Sequence, residues 1–322
     1  MIVEILLIIV SIAVVLWGAD RFTDGACGLA RRLNVSELVI GLTVVALGTS
    51  LPEFMVSFLS VLRGSSDMSV GNIIGSNVFN ILVILGASAL MRTLSIEKSL
   101  LQRDLPICIL VTAMLAVFAR SSGEIARWEG LLLVIFFCAY LYMAYVVAKH
   151  DRKAALAPSR EESGQSVAVK GLAQKGIWGP LLLILVGMAA LVVGGNVLVN
   201  NAAAVAREWG VSESVIGMTI LAAGTSLPEL ATSVVAARKG SLGLAFGNVI
   251  GSNVFNIAFV IGTCSSIRPM AVTEISTADW LVFVGSCMLV WLVAWTSRKL
   301  SRWEGALLVV CYLSYLVSLL LK

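Results

Sequence analysis

Charge is what this chain has least of. Only 13% of its 322 residues are Asp, Glu, Lys or Arg, against about 25% in a typical soluble domain. A water-soluble surface for a protein of this size is therefore excluded. With 59% hydrophobic residues and a mean hydropathy of +0.96, the chain is suited to a bilayer instead. Histidine is nearly absent: His150 is the only one, and it lies in the most charged stretch, so histidine-based metal or proton chemistry has no candidate within the membrane. The six cysteines (Cys27, Cys108, Cys138, Cys264, Cys287 and Cys311) form no C-x-x-C pair and fall mostly in apolar runs, as small hydrophobes do. The small excess of basic over acidic residues, 23 against 19, reads as membrane topology and not as a nucleic-acid footprint.

What is abundant is long apolar stretch. Runs near the roughly 20 residues needed to cross a bilayer fall at about 2–20, 36–62, 69–90, 104–120, 129–148, 178–200, 212–237, 242–266, 278–296 and 304–321. The expected fold is an all-α integral membrane protein of ten transmembrane helices. The amino terminus lacks a basic segment and a small-residue cleavage motif, so the first run is expected to be retained as a span. The longest polar stretch, 149–177, divides the chain into a first five-helix repeat (1–148) and a second (178–322). It is expected to be a linker, being too short for a separate domain. Five is odd, so the second half enters from the opposite side and the repeat is inverted. Lys and Arg concentrate in the loops on the linker side, which predicts a cytoplasmic linker and both termini outside.

The halves share more than hydropathy. Gly48-Thr49-Ser50-Leu51-Pro52-Glu53 recurs as Gly224-Thr225-Ser226-Leu227-Pro228-Glu229, and Gly71-Asn72-Ile73-Ile74-Gly75-Ser76-Asn77-Val78-Phe79-Asn80 recurs as Gly247-Asn248-Val249-Ile250-Gly251-Ser252-Asn253-Val254-Phe255-Asn256. One interval, 176 residues, relates every one of these positions. The motif regions span 46–80 and 222–256.

A carboxylate at membrane depth costs a few kcal/mol or more and marks function by default. Glu53 and Glu229 occupy equivalent positions of the two copies. Pro52 and Pro228 cannot donate to the carbonyls of Gly48 and Gly224, so both helices open where carboxylates and hydroxyls lie. Freed carbonyls at that depth need a cavity or an ion. Helical spacing puts Ala46, Thr49, Ser50 and Glu53 on one face, and likewise Ala222, Thr225, Ser226 and Glu229; in the following spans Asn72, Ser76, Asn77 and Asn80 share a face, as do their counterparts. The glycines of Gly71-x-x-x-Gly75 and Gly247-x-x-x-Gly251 allow close helix packing. The donors are all oxygen, which suits hard cations, Ca²⁺ above all and Na⁺ of similar radius. Competition for one pair of glutamates is a physical basis for exchange.

At these four blocks the sequence resembles the cation/Ca²⁺ antiporter superfamily, in its prokaryotic sodium/calcium exchanger branch, over essentially the whole chain. The resemblance implies Na⁺-driven Ca²⁺ transport by alternating access across the cytoplasmic membrane, with three Na⁺ per Ca²⁺, gated by a sliding bundle of the first and sixth spans. It implies that Glu53 and Glu229 ligate Ca²⁺ with the carbonyls of Thr49 and Thr225. Ser50, Ser76, Ser226 and Ser252, with the carbonyls of Ala46 and Ala222, would complete flanking Na⁺ sites, and Asn80 and Asn256 would line the centre. Some relatives carry an aspartate where this chain has Asn256, which argues against K⁺ co-transport. A Ca²⁺/H⁺ antiporter of the same superfamily and a cation channel stay open as alternatives. The first usually shows G-N-x-x-E where this chain has G-N-x-x-G-S. An enzyme is not expected, since the constellation lacks a nucleophile–base pair. Nor is a cofactor expected beyond the transported ions, nor a nucleic-acid partner. The oligomeric state is left open, a monomer being compatible with the sequence.

Overall fold

The computed structural model describes residues 2–156, 176–210, 222–273 and 275–320. These residues are helical almost throughout. The first half contains α1 (Ile2–Leu33), α2 (Glu37–Thr49), α3 (Leu51–Leu62), α4 (Ser66–Met91), α5 (Leu100–Ser122) and α6 (Arg127–Leu156). The second contains α7 (Trp178–Glu208), the short α8 (Ala222–Thr225), α9 (Leu227–Lys239), α10 (Leu242–Ile267), α11 (Thr277–Ser297) and α12 (Arg302–Leu320). Among the described residues eight helices are long and apolar enough to cross a membrane, and α2 with α3 makes a ninth, bent by 46° at its break. The seventh span expected from the sequence, 212–237, lies partly outside the described residues, as does most of the 149–177 linker.

The first span is longer than its apolar run. Helix α1 continues for more than three turns past residue 20, carrying Asp20, Arg21 and Asp24 inside the helix where the hydropathy pattern ends. The polar half is tolerated because its carboxylates are paired. The Lys239 Nζ lies 2.7 Å from both Asp20 Oδ1 and Asp24 Oδ1. Helix α7, its counterpart, likewise runs on to Glu208.

Helices α1 and α7 pack antiparallel along their lengths. A Cβ at Gly18 would stand 2.9 Å from the Gly187 carbonyl, and one at Gly25 would stand 2.8 Å from that of Pro180. Only glycine permits such backbone approach, as in membrane helix pairs generally. Helix α2 of the first half crosses over to α10 of the second, where a Cβ on Gly247 would meet the Leu38 carbonyl at 2.6 Å. The close packing expected of Gly247 and Gly251 is thus present. The segment related by the repeat to the partners of these glycines, 214–222, lies mostly outside the described residues.

Two short ladders fasten the halves together. Strand β1 (Leu94–Ser95) pairs with β4 (Lys299–Leu300), and β2 (Glu124–Ile125) pairs with β3 (Met270–Ala271), both antiparallel. Under the repeat β1 corresponds to β3 and β2 to β4, so the two ladders interchange. The core of Val, Ile, Leu and Phe side chains runs through α4 and α10, the most enclosed of the spanning helices.

Candidate ion-binding centre

Both signature helices break at a serine. Ser50 (φ −86°, ψ 8°) ends α2 and starts α3, and Ser226 (φ −89°, ψ 9°) joins α8 to α9 in the same conformation. Pro52 and Pro228 then occupy the first turn of the new helix, where a missing N–H costs nothing. Two helix N-termini are thereby created beside the carboxylates, and a helix N-terminus favours negative charge.

Glu53 and Glu229 are fully buried. Ser50 Oγ donates to Glu229 Oε1 at 2.7 Å, and Ser226 Oγ donates to Glu53 Oε1 at 2.9 Å. Each serine therefore serves the glutamate of the other half. The sequence puts Ser50 with Glu53 and Ser226 with Glu229 on shared helical faces, whereas the bonds these serines make are between repeats.

The second pair of blocks forms a four-asparagine cluster with the same reciprocity. Asn77 Nδ2 donates to the Asn253 carbonyl and Asn253 Nδ2 to the Asn77 carbonyl, each at 3.2 Å. Asn80 Nδ2 donates to Asn253 Oδ1 and Asn256 Nδ2 to Asn77 Oδ1, each at 3.0 Å. Asn80 opens a π-helical turn (Asn80–Ile84), and Asn256 lies in another (Phe255–Ile261). Such turns widen a helix locally and recur at functional sites. A third symmetric element braces the breaks: Asn72 Nδ2 donates to Ser57 Oγ at 3.2 Å, and Asn248 Nδ2 to Ser233 Oγ at 2.8 Å. Thr49 Oγ1 lies 3.1 Å from both the Val45 carbonyl and Asn248 Oδ1. Asn77, Asn253, Ser57 and Ser233 are structural partners of the centre that were not singled out as site residues from sequence. The asparagines were visible inside the repeated block, but their pairing across halves leaves no local signal.

The oxygens that remain are informative. Glu53 Oε2, Glu229 Oε2, Ser76 Oγ, Ser252 Oγ, Asn80 Oδ1 and Asn256 Oδ1 are all buried and have no hydrogen-bond partner. They form three repeat-related pairs. A buried polar atom left unpaired costs about 1–3 kcal/mol, so six in symmetric positions call for a ligand. Ala46 is buried beside Thr49, while Ala222 begins α8 at the equivalent point. Among the described residues no group of three or more His, Cys, Asp or Glu could hold a metal; the donors here are carboxylate pairs, hydroxyls, amides and carbonyls.

The chain matches the sodium/calcium exchanger protein family over residues 3–146 and 179–321. It belongs to that family. It is 34% identical to the putative antiporter CaxA of Alkalimonas amylolytica, with 98% of each chain covered. It is also 30% identical to the sodium/calcium exchanger MaX1 of Methanosarcina acetivorans, again over 98% of each. The solved structure of the sodium-calcium exchanger NCX_Mj soaked with 2.5 mM Na⁺ and 10 mM Sr²⁺ superposes with a TM-score of 0.82 at 30% identity, covering 98% of this chain and 99% of that one. This exchanger is thus a multi-pass membrane protein and a transporter, not an enzyme, of the cation/Ca²⁺ antiporter superfamily.

Access to the centre is unequal. A cavity of about 980 Å³ opens beside it, lined by Pro52, Met55, Asn72, Asn196, Asn200 and Thr225 among others. Thr225 and Asn72 are half-buried there, whereas their repeat counterparts Thr49 and Asn248 are buried at 2% and 0% exposure. Among the described residues the cavity lies on the side of the α3–α4 turn, and the side of the α9–α10 turn is packed around Thr49 and Asn248.

Proposed function

We propose that this chain exchanges Na⁺ for Ca²⁺ across the cytoplasmic membrane by alternating access, electrogenically, with three Na⁺ per Ca²⁺. The observation that carries the reading is the set of six symmetric, buried oxygens without a protein partner, two on the broken helices and four on α4 and α10, which pack against them. Glu53 and Glu229 ligate Ca²⁺ with the carbonyls of Thr49 and Thr225, and their two charges balance the divalent ion. Ser50, Ser76, Ser226 and Ser252, with the carbonyls of Ala46 and Ala222, complete flanking Na⁺ sites, and Asn80 and Asn256 line the centre. Oxygen donors in flexible number suit Ca²⁺, whereas Mg²⁺ sheds water too reluctantly.

The architecture is ten spans in two inverted five-helix repeats. The antiparallel packing of α1 on α7 and the interchanging ladders support it. By the distribution of Lys and Arg, the linker side, which includes the α9–α10 turn, is cytoplasmic and the cavity opens outward. One net charge per cycle is worth about 2.3 kcal/mol per 100 mV, enough to help expel Ca²⁺ from a negative cell interior.

The test is Ca²⁺ uptake into proteoliposomes loaded with Na⁺ and diluted into Na⁺-free buffer. Uptake that requires the Na⁺ gradient and responds to membrane potential supports the proposal. Uptake driven by a pH gradient alone, or by neither gradient, refutes it.

A further inference from the structure

Besides its packing on α7, helix α1 is tied by charge to α9 of the second half. Lys239 closes the last turn of α9, and its Nζ bonds Asp24 Oδ1 at 2.7 Å and the Asp20 carbonyl at 3.0 Å, with Asp20 Oδ1 also at 2.7 Å. One turn beyond, Cys27 Sγ and Ser241 Oγ lie 3.2 Å apart. The repeat carries each of these residues to a different partner. Asp20 and Asp24 become Asn196 and Asn200 of α7, Lys239 becomes Arg63, and Ser241 becomes Ser65.

The consequences differ in the same sense at every position. Lys239 keeps 20% of its side-chain exposure, while Arg63 is exposed and makes no ion pair among the described residues. Ser241 is 1% exposed, while Ser65 is exposed. Asn196 and Asn200, in place of the two aspartates, line the open cavity. The closed end therefore has two carboxylates facing a lysine, and the open end has two neutral amides at the equivalent positions.

We propose that Lys239 with Asp20 and Asp24 is an electrostatic latch, which holds α1 against α9 and biases the exchanger toward the arrangement open at the cavity. The proposal rests on the alternating-access reading above. If the halves exchange conformations, the opposite state separates α1 from α9 as α7 now stands away from α3, and this ion pair must break to reach it. No counterpart opposes the return, because neutral Asn196 and Asn200 offer Arg63 no salt bridge. The latch thus sets the resting population of the two states without touching the transported ion. Ion pairs that keep part of their exposure, as this one does, have modest strength, so the shift is graded, about two- to five-fold in the ratio of the states.

The test needs no transport, which separates its failure from failure of the exchange reading. Hydrogen–deuterium exchange is followed on the full-length protein in Ca²⁺- and Na⁺-free buffer, comparing the 241–248 and 65–72 segments. Lys239→Gln and the Asp20→Asn/Asp24→Asn double variant should each speed exchange about two- to five-fold at 241–248 and slow it at 65–72. Asn196→Asp/Asn200→Asp, which builds the mirrored pair toward Arg63, should do the same at 65–72 by adding protection there. The charge swap Lys239→Asp/Asp24→Lys should restore the wild-type pattern. Equal loosening of both segments would mean a merely structural tie and would overturn the proposal. So would unchanged exchange in Lys239→Gln and in the Asp20→Asn/Asp24→Asn variant, or a charge swap that behaves like Lys239→Gln.

Discussion

Replacing Glu53 by Gln keeps shape and hydrogen-bonding capacity at Oε1 but removes one of two charges from the centre. In the native chain that carboxylate has one oxygen held by Ser226 and one without a partner. Removing one member of a buried, oppositely charged set costs about 3–5 kcal/mol, here expressed in the ion-bound state. Ca²⁺ affinity should fall by roughly two to three and a half decades. Thermal unfolding in detergent gives a direct reading. At a Ca²⁺ concentration 100 times the wild-type Kd, binding stabilises the protein by about 2.7 kcal/mol; after a 300-fold loss of affinity the same concentration contributes only about 0.2 kcal/mol. The ion-free variant should be no less stable than wild type, since two buried carboxylates no longer share one centre. Asp67→Asn, at a carboxylate held by Thr273 outside the centre, should keep the full Ca²⁺ response. A Glu53→Gln protein that retains most of its Ca²⁺-induced stabilisation would refute the ligand assignment.

Two further outcomes follow from the packing between halves. Asn77→Ala removes a bond to the Asn253 carbonyl and strands the Asn256 amide, for a loss of about 2–4 kcal/mol. Asn253→Ala should cost the same within error, and a marked difference in melting temperature between the two would contradict the symmetric network. Gly251→Val sets a Cβ 2.6 Å from the Leu42 carbonyl, forcing α2 off α10 at a cost of about 1–3 kcal/mol or more. Its uptake rate should drop with its stability, whereas Gly285→Ala, with open space around the added Cβ, should match wild type in both.

The centre was largely legible in the sequence because its chemistry is duplicated. Glutamate after proline, twice, at one interval, identifies both the break and the charge, and both serines and all four asparagines lie within the repeated blocks. Contacts between halves were not legible. Helical spacing joins Ser50 to Glu53, yet the serine bonds Glu229, a relation that depends on how two distant segments are set together. Helix ends were also less legible than apolar runs, most clearly in α1. Hydropathy falls away at Asp20, but a lysine 219 residues later neutralises the polar turn and lets the helix continue. A local window cannot see a partner that far off.

The asparagine cluster has a meaning for the origin of the chain. Residue 77 bonds 253 as 253 bonds 77, the isologous relation by which two identical subunits meet about a two-fold axis. Under the proposed inverted arrangement, one five-helix protein inserted in both orientations would satisfy the entire cluster with a single sequence. Such a protein has identical inner and outer faces and can favour neither. Joining the two copies in one polypeptide removes that constraint, so aspartates can arise in one copy while asparagines stand in the other. Sidedness then becomes a heritable property that a symmetric ancestor had no means to encode.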